Sequence, residues 1–342
     1  MERLCASLTP PRFAPCNEDR STLMTSSYSV ATDERDGVEV YTLRAPDGSS
    51  AEIAPGFGCN CFAFSDRNSA VLEPIAFAEF RQKPTSYGIP VLFPFPNRIR
   101  DGRFTFQGRT FEVNPPRHGF VRDKAWRVVA HGSTDEAGAW LTARFDAQDY
   151  AEQILTQFPF PFQLDVTYRL KDSELVMETI ARNNADADMP TGFGIHPYFR
   201  KPARGTLAVP ADKRWELEES LPTGRLLDVA GKFELRSAAN VSELQLDDIY
   251  TGVTTDADGL ARCVLTDEDA GRQTIVEFDA QEFPHVVVYT PPAPRQAICV
   301  EPNTCPTDAF NLQARGIEAG VVALGAGAEA RFNVRIYTKA AC

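Results

Sequence analysis

Two of the four histidines in this chain lie in sequence contexts that suit proton transfer. His118 lies in the turn-like stretch PPRHGF, and His196 lies between an isoleucine and a proline in the stretch GFGIHPYF. A backbone bend of this kind presents an imidazole at a strand edge, so we predict that both rings are exposed and exchange protons near neutral pH. His131 and His285 have no such context, and we predict that they are packed or solvated residues.

Carboxylates able to work with these imidazoles occur at two places. Glu301 follows the apolar strand AICV, so we predict that it lies at the mouth of a buried strand, where its pKa can be tuned for general-base catalysis. A solvated strand end is the alternative interpretation of the same pattern. Asp247 and Asp248 are adjacent in the stretch LDDIY, where they either bind hydroxyl groups or cap a turn.

A forked cationic donor, Arg98, follows Asn97 at the end of an apolar run that prolines interrupt. Arginine at such a position suits a sugar hydroxyl, a carboxylate or a phosphate. The segment 98–124 carries seven basic and three acidic residues, a local charge of +4 in a chain of net charge −12. The seven bases are Arg98, Arg100, Arg103, Arg109, Arg117, Arg122 and Lys124. This segment is either the outward face of a hairpin or an attractor for an anionic substrate.

The composition excludes several classes of function. The net charge of −12 argues against nucleic acids and anionic membranes as partners. No apolar run approaches the ~20 residues of a membrane helix, and residues 1–16 lack the apolar core of a secretory signal. The eight cysteines form no CxxC pair, so we predict free thiols and a cytoplasmic protein. Metal-ligand spacing, a dinucleotide-binding glycine motif and a serine elbow are missing from the sequence, so we predict no metal and no cofactor.

The elements that position these residues are predicted from alternation with a period of two. In residues 164–171 (LDVTYRLK) and 330–337 (ARFNVRIY), inward and outward side chains alternate, which is typical of half-buried antiparallel strands. Residues 103–113 are predicted to form a hairpin that turns at Gln107-Gly108. Further predicted strands cover residues 38–43, 50–54, 126–130, 139–145, 174–182, 274–279 and 285–290.

Helical patterns are weak and short, and the best of them cover residues 70–82, 149–157 and 240–247. Many short strands with few helices predict an all-β fold, a large antiparallel β-sandwich with a few short helices. No linker or internal repeat divides the chain. We therefore predict a single domain over residues 30–342, preceded by an irregular lead-in over residues 1–29.

Taken in order, five of these stretches resemble the aldose 1-epimerase, or galactose mutarotase, family. They are Asn97-Arg98-Ile99 with Gly102 and Phe104, then His118-Gly119, then His196-Pro197-Tyr198-Phe199, then Leu246-Asp247, and finally the strand that ends at Glu301. They extend over roughly residues 88–311, which is most of the chain. The resemblance implies a large antiparallel supersandwich whose sugar site lies in a cleft on one sheet.

The resemblance also implies a role for each site residue. Glu301 would take the proton of the anomeric C1 hydroxyl while His196 donates a proton to the ring oxygen. This chemistry requires an ionised carboxylate and a protonated imidazole, and it requires no cofactor. The substrate-binding residues would be Arg98, His118, Asp247 and Asn97.

Two departures from the family pattern bear on the substrate. The galactose enzymes usually carry Glu-x-Gln at the base, whereas this chain has Glu301-Pro302-Asn303, so a different residue lies beside the base. The stretch HGFVR with Trp126 is similar instead to the hexose-6-phosphate mutarotase branch, whose members bind a sugar phosphate with basic side chains. Because Asn97-Arg98 favours the free-aldose branch, we predict a free aldohexose, with a sugar phosphate as the alternative.

Two further classes of function stay open at this point. A non-catalytic carbohydrate-binding or regulatory protein needs only hydrogen-bonding groups and an aromatic platform. Candidates for that platform are Phe93, Phe95, Tyr198 and Phe199. A glycosidase or lyase would use Glu301 with Asp247 and would leave both histidines without a role. The predicted partner is a small-molecule sugar, and the protein is predicted to be a monomer or a dimer.

Overall fold

β-Strands dominate the protein in a computed structural model, which describes residues 27–341. The strands up to residue 183 are β1 (Ser29–Arg35), β2 (Val38–Arg44), β3 (Ser50–Ala54), β4 (Asn60–Asp66), β5 (Ser69–Ala70), β6 (Val91–Leu92), β7 (Arg103–Phe106), β8 (Arg109–Glu112), β9 (Arg127–Thr134), β10 (Gly138–Asp146), β11 (Phe162–Lys171) and β12 (Glu174–Asn183). The strands after it are β13 (Met189–Thr191), β14 (Gly194–Ile195), β15 (Tyr198–Arg200), β16 (Gly205–Ala208), β17 (Ala211–Glu218), β18 (Leu221–Asp228), β19 (Ala239–Asn240), β20 (Asp247–Val253), β21 (Leu260–Asp267), β22 (Arg272–Asp279), β23 (His285–Tyr289), β24 (Ala297–Asn303), β25 (Val322–Leu324) and β26 (Glu329–Ala340).

The helices of the described part are short. They are α1 (Phe77–Phe80), α2 (Ala151–Ile154) and α3 (Ala309–Ala314), with single 3₁₀ turns at Pro84–Ser86, Arg100–Gly102, Ala147–Tyr150, Gly231–Phe233 and Val241–Glu243. No helix within residues 27–341 has the length and apolarity that crossing a membrane requires. The predicted lead-in lies outside the described residues up to residue 26, and β1 already begins at Ser29.

The strand predictions are confirmed, whereas the helix predictions are only partly correct. The hairpin at 103–113 forms from β7 and β8, which enclose Gln107 and Gly108. The predicted helix 70–82 shrinks to α1, because Val71 and Glu73 donate backbone hydrogen bonds to other strands, at Phe64 and Tyr198.

The other two helix predictions also contract or fail. The predicted helix 149–157 contracts to α2 after a 3₁₀ turn. The predicted helix 240–247 is wrong, since Leu246 exchanges hydrogen bonds with Thr290 and strand β20 begins at the next residue. Helix α3 lies outside every predicted helical segment.

The strands assemble into two large sheets and three small ones, and all ladders between named strands are antiparallel. The nine-stranded sheet has the order β19-β16-β21-β22-β26-β12-β11-β10-β9. The eight-stranded sheet has the order β18-β17-β20-β23-β24-β14-β6, with β15 also paired to β24. Strands β1 to β5 form a sheet of their own, and β13-β25 and β7-β8 are two-stranded. The predicted antiparallel all-β architecture is therefore confirmed.

One hydrophobic cluster receives side chains from both large sheets, as expected of a sandwich. The alternation in β26 turns Phe332, Val334 and Ile336 into this core and leaves the polar residues between them on the outer face. Phe332 stacks on Phe193 with ring centroids 4.6 Å apart, which ties β26 to the loop before β14. Apolar burial of this kind is the main force that holds the two sheets together.

Strand β24 is buried on both of its faces, and this decides the environment of Glu301. Ile298 and Val300 point into the main core, whereas Cys299 and Glu301 share the opposite face. The sequence pattern predicts that the strand ends at Glu301, but it continues to Asn303. That expectation is wrong because β23 pairs with β24 over the whole of this stretch.

Candidate active site

The six residues that the sequence singles out line one cleft of about 270 Å³ on the eight-stranded sheet. They are Glu301, His196, Arg98, Asn97, His118 and Asp247, and the cleft also exposes Thr85, Ser86, Arg117, Arg122, Tyr198, Val287 and Tyr289. Pockets for drug-sized ligands span ~300–1,000 Å³, so this smaller and mainly polar cleft suits a molecule the size of a monosaccharide.

Glu301 and His196 lie in contact with each other at the floor of the cleft. Strands β14 and β15 both pair with β24, and their register, with Gly194 opposite Asn303 and Tyr198 opposite Cys299, places the bend at His196 opposite Glu301. The distance from His196 Nε2 to Glu301 Oε1 is 3.2 Å. An acid and a base are thus in direct contact rather than separated by the width of a sugar ring.

Both members of the pair are buried, which corrects the expectation of exposed histidines. Glu301 is 1% exposed and His196 is 7% exposed, and His118 beside them is 8% exposed. The local sequence shows a bend at each histidine but not the distant segments that cover it. Tyr198 stacks on the imidazole of His196 at 4.5 Å between ring centroids, and Tyr289 meets it edge-on at 6.0 Å.

Burial opposes charge on both groups of the pair. It raises the pKa of Glu301 well above its usual range, and the negative charge of Asp247 raises it further while Arg98 acts in the opposite direction. Burial also lowers the pKa of His196 to about 3, with the positive charge of Arg122 as the next cause. Burial therefore favours a neutral pair that holds one proton, rather than the ionised pair that the resemblance implies.

Arg98 and Asn97 lie in a loop that is held by contacts with each other, with Asp247 and with Asp308. Arg98 donates to Asn97 Oδ1 from its backbone N–H at 2.8 Å and from Nη1 at 3.2 Å, and its Nη2 lies 3.6 Å from Asp247 Oδ2. The backbone N–H of Asp308 donates to the carbonyl of Arg98 at 2.7 Å, and Asp308 Oδ1 accepts from Arg100 N at 2.9 Å. The guanidinium is therefore aimed into the cleft by a rigid frame.

His118 is held by two hydrogen bonds and by a left-handed backbone. Its backbone N–H donates to the carbonyl of Asn97 at 3.0 Å, and its Nδ1 lies 2.8 Å from the carbonyl oxygen of Pro96. A carbonyl only accepts, so Nδ1 carries the proton and Nε2 is left as an acceptor. Gly119 follows with φ +65°, and a Cβ there would lie 1.8 Å from the carbonyl oxygen of Phe93. Only glycine allows this close approach.

The two adjacent aspartates have different surroundings, as expected for neighbours on a strand. Asp247, at the start of β20, lines the cleft and faces Arg98. Asp248 is outside the cleft lining, lies 4.0 Å from Arg214, and has its pKa raised by burial. Asp247 is therefore the aspartate available to a ligand.

Two arginines of the basic segment face the cleft without an acidic partner. Among residues 27–341, no carboxylate oxygen lies within 4.0 Å of the guanidinium of Arg117 or Arg122. Other bases of the same segment are paired, such as Arg103 with Glu112 and Arg100 with Asp308. Burial lowers the pKa of Arg122, and the charge of Arg117 lowers it further. Two uncompensated positive charges thus lie in the wall of the cleft.

The predicted aromatic platform is mostly wrong. Phe93, Phe95 and Phe199 are buried in the main core, and only Tyr198 of the four candidates lines the cleft. Its companion there is Tyr289, which sequence reasoning missed because it is one of several similar residues in an apolar strand. Thr85, Ser86 and Val287 were missed for the same reason, since no local motif marks them.

Asn303 occupies the position at which the resembled galactose enzymes carry glutamine. It is fully buried, and both polar atoms of its side chain lack a hydrogen-bond partner among the described residues. It does not line the cleft, and Gly194 packs against its side chain so closely that a Cβ there would lie 1.7 Å from Oδ1. The wall beside Glu301 is therefore formed by other residues.

Three atoms in this region are close enough to be considered as metal ligands. A nitrogen of His196, the Sγ of Cys299 and a carboxylate oxygen of Glu301 all lie within 4.8 Å of one another. Burial raises the pKa of the Cys299 thiol well above its usual value, which opposes the thiolate form that binds metals. The absence of a metal cofactor stays a prediction.

Comparisons with known proteins agree with this geometry. The family model described as aldose 1-epimerase matches residues 39–337. A galactose mutarotase-like protein of Clostridium acetobutylicum superposes with a TM-score of 0.82 at 22% identity, covering 92% of this chain and 99% of that one. Galactose 1-epimerase of Lactobacillus acidophilus NCFM superposes with a TM-score of 0.74 at 14% identity, covering 93% and 100%. At these identities the superpositions show a shared fold.

A relative by sequence is YihR, an uncharacterized protein of Escherichia coli K12. It is 24% identical over 244 residues, which cover 67% of this chain and 74% of YihR. The family match and the two superpositions together confirm the resemblance drawn from the sequence motifs.

Proposed function

The chain belongs to the aldose 1-epimerase family, and we propose that it is a mutarotase that interconverts the α and β anomers of a free aldohexose. The observation that carries this proposal is the contact of 3.2 Å between His196 Nε2 and Glu301 Oε1 in a cleft of monosaccharide size. An acid and a base at adjacent positions serve the two oxygens that are bonded to the anomeric carbon. Both proton transfers of the reaction can then occur at one place.

Ring opening moves one proton at each end of the pair. Glu301, as the carboxylate, takes the proton of the C1 hydroxyl, and the C1 oxygen becomes a carbonyl as the bond from C1 to the ring oxygen breaks. His196, as the imidazolium, donates its Nε2 proton to the leaving ring oxygen. The open aldehyde rotates about the C1–C2 bond, and the reverse transfers close the ring on the other face. The pair ends with the proton count that it had at the start.

The burial of the pair supplies a reason for the direction of these transfers. Ring opening converts an ionised pair into a neutral one, and the neutral forms are those that burial favours at both groups. Because burial favours both neutral forms, the proton of the pair starts on Glu301 in the proposed cycle. The charge of Arg98, which lowers the pKa of Glu301, and the hydroxyl groups of the sugar assist its transfer to His196 before the ring opens.

The remaining residues orient the sugar. His118 offers its Nε2 lone pair to a hydroxyl proton, because its Nδ1 proton is donated to Pro96. Arg98 donates from its guanidinium, and Asp247 accepts from hydroxyl groups at the exposed side of the cleft. Asn97 keeps the guanidinium of Arg98 in place.

The first test is the optical relaxation of freshly dissolved α-D-glucose and α-D-galactose, with and without the protein, in weakly buffered solution. We expect faster relaxation with the wild-type protein and its loss in Glu301→Gln, because one catalytic group typically contributes about 10²–10⁴-fold to the rate. Acceleration that survives in Glu301→Gln would refute the assignment of the base. No acceleration with any aldose would favour a non-catalytic carbohydrate-binding protein.

A second candidate substrate, a hexose that carries an anionic group such as a phosphate, is favoured by one observation. Arg117 and Arg122 face the cleft with no carboxylate of the described part of the chain within 4.0 Å, and unpaired guanidinium groups bind phosphate by charge-assisted hydrogen bonds. Burial makes the charge of Arg122 costly, and an anionic ligand would offset that cost.

A comparison of glucose with glucose 6-phosphate separates the two substrates. If the phosphate is the substrate, Arg122→Gln should lower kcat/KM for glucose 6-phosphate by roughly 10- to 100-fold, the value of one or two charge-assisted hydrogen bonds, and change the rate with glucose much less. A wild-type protein that prefers glucose, with equal effects of the substitution on both sugars, would exclude the anionic substrate.

A further inference from the structure

A line of four contacting side chains leads from the acid-base pair to the rim of the eight-stranded sheet. His196 stacks on Tyr198, whose ring centroid lies 5.1 Å from the guanidinium carbon of Arg295. Arg295 in turn is bound by Glu73, which lies just after β5. Neither Arg295 nor Glu73 lines the cleft.

His196 needs support that its hydrogen bonds do not provide. Its Nε2 faces Glu301, but its Nδ1 has no hydrogen-bond partner among the described residues. In many enzymes a carbonyl or carboxylate at the second nitrogen fixes the plane and the tautomer of a catalytic imidazole. Here the plane must be fixed by packing, and the flattest contact is with Tyr198, at an angle of 11° between the two rings.

Tyr198 is held in place by the opposite end of the line. Its backbone N–H donates to the carbonyl of Gly88 at 2.9 Å, and its own carbonyl accepts from the backbone N–H of Glu73 at 2.9 Å. Its ring contacts Arg295, whose guanidinium also lies 4.0 Å from the ring centroid of Tyr87. A planar cation in contact with two aromatic rings restricts the rotation of both.

Arg295 is itself fixed by a buried fork. Its Nε lies 3.0 Å and 2.9 Å from the two carboxylate oxygens of Glu73, and its Nη2 donates to Glu73 and, at 3.0 Å, to the carbonyl of Ser86. Glu73 Oε1 also accepts a hydrogen bond from the backbone N–H of Gln296 at 3.2 Å. Glu73 is 8% exposed, so little water competes for these bonds.

We propose that Arg295, locked by Glu73, is a positioning residue that holds the ring of Tyr198 flat against His196 and so fixes the imidazole for proton transfer to the ring oxygen. This inference rests on the proposed mutarotase function for its kinetic consequence, but its structural content is independent of it. A lysine at this position would keep the positive charge and lose both the planar contact and the fork.

The test compares Arg295→Lys with Arg144→Lys. Arg144 forms a similar fork with a buried carboxylate, Nε and Nη2 to Asp165 at 2.6 Å and 2.8 Å, on the outer face of the nine-stranded sheet. We expect kcat to fall roughly 10- to 100-fold in Arg295→Lys with KM little changed, because misplacing a catalytic group by about 1 Å costs up to ~10²-fold. Arg144→Lys should keep the wild-type kcat. Tyr198→Phe should retain more of the rate than Tyr198→Leu.

A second measurement works without any substrate. The chain has four histidines, so ¹⁵N-labelled histidine gives a short list of ring resonances, and His196→Gln assigns the one of interest. We expect the ring nitrogens of His196 to report one fixed tautomer in the wild type and in Arg144→Lys, and an averaged or shifted pair in Arg295→Lys. Tyr198→Leu should give the same change even if Arg295→Lys does not fold.

The outcomes are distinct. Unchanged His196 resonances in both Arg295→Lys and Tyr198→Leu would overturn the proposal, as would a loss of kcat in Arg295→Lys no larger than in Arg144→Lys. If the wild-type protein accelerates no aldose, the proposed function fails while the ¹⁵N spectra still decide the role of Arg295.

Discussion

The cleft and the outer face of the nine-stranded sheet both bury carboxylates, but they treat them in opposite ways. On the outer face, Glu277 is 3% exposed and lies between Arg262 and Arg335, with Nε at 2.8 Å and Nη1 at 2.6 Å. In the cleft, Glu301 is 1% exposed, and the one basic group within 4.0 Å of its carboxylate among residues 27–341 is the imidazole of His196. Similar burial is thus combined with full charge compensation in one region and with almost none in the other.

The cations show the same contrast. On the outer face, Asp165 is bound by Arg144 and Arg182, and this fork lowers the pKa of its carboxyl against the opposing effect of burial. In the cleft, Arg117 and Arg122 have no carboxylate within reach among the described residues. Arg117 is exposed, but Arg122 is half-buried, and a half-buried charge without a partner costs stability. Its presence in the cleft therefore points to a functional rather than a structural role.

The largest expected effect comes from exchanging the two buried glutamates for glutamine. Glu301→Gln should lower mutarotase activity by about 10²–10⁴-fold and leave the free energy of unfolding unchanged or higher, because burial already favours a neutral side chain there. Glu277→Gln should keep the activity and lower the free energy of unfolding by about 1–3 kcal/mol, since Arg262 and Arg335 each lose a buried carboxylate partner. Enzyme assays and urea titrations measure both. A lower free energy of unfolding for Glu301→Gln than for Glu277→Gln would contradict the contrast between the cleft and the outer face.

The next effect concerns pH and the buried histidine His285, which lies under Trp215. Burial lowers its pKa to about 3, whereas in the unfolded chain it titrates near 6.5. Its contribution is complete above pH 6.5 and is lost as the pH falls toward 3, because only the unfolded state then binds the proton. Within that window the loss is about 1.4 kcal/mol per pH unit.

The measurement is the free energy of unfolding from pH 7 to pH 5. We expect the free energy of unfolding of His285→Gln to fall less steeply with decreasing pH, by the equivalent of one bound proton. We expect His131→Gln, at an exposed position on β9, to show the wild-type slope. Glu301 acts in the opposite direction, because its raised pKa makes its contribution fall as the pH rises above 4.5. Equal slopes in both histidine variants would show that His285 is charged in the folded protein.

The smallest effect is expected from replacing a single arginine in each region. Arg122→Met should raise the free energy of unfolding slightly, by up to about 1 kcal/mol, because it removes a half-buried charge that burial disfavours. Arg182→Met should lower it by a similar amount, because Asp165 and Glu329 each lose one of their two arginine partners. Thermal melts of the two variants in one buffer would reveal the opposite signs. A destabilised Arg122→Met would mean that Arg122 has a structural partner.

The strands and the pair of Glu301 and His196 were accessible from sequence because each leaves a local mark. Strict alternation marks β11 and β26, and the bend at His196 and the carboxylate after an apolar run mark the pair. Tyr289, Ser86 and Arg295 leave no such mark, since strand register and loop packing bring them to the site from distant segments. Local sequence patterns therefore identify residues that lie in a distinctive motif. They miss residues that reach the site only through contacts between distant segments.

The same distinction explains the errors. The histidines were expected to be exposed because the sequence shows a bend and not the Tyr198 and Tyr289 rings that cover it. The helix at 240–247 was expected from apolar spacing, but hydrogen bonds between Leu246 and Thr290 outweigh a weak local preference. Burial and hydrogen bonding between distant segments cannot be deduced from the local sequence pattern.

Strand β26 occupies the centre of the nine-stranded sheet, between β22 and β12. During synthesis, the ribosome therefore completes β9 to β12 and β16 to β22 as two separate halves, each with an open hydrogen-bonding edge, until residue 340 has emerged. Folding of the sandwich is then a late event that joins segments synthesised at different times. Until then, two unpaired strand edges must be kept from pairing with other chains. A nascent chain stopped at residue 328 should associate with chaperones and aggregate, although it already contains every residue of the cleft.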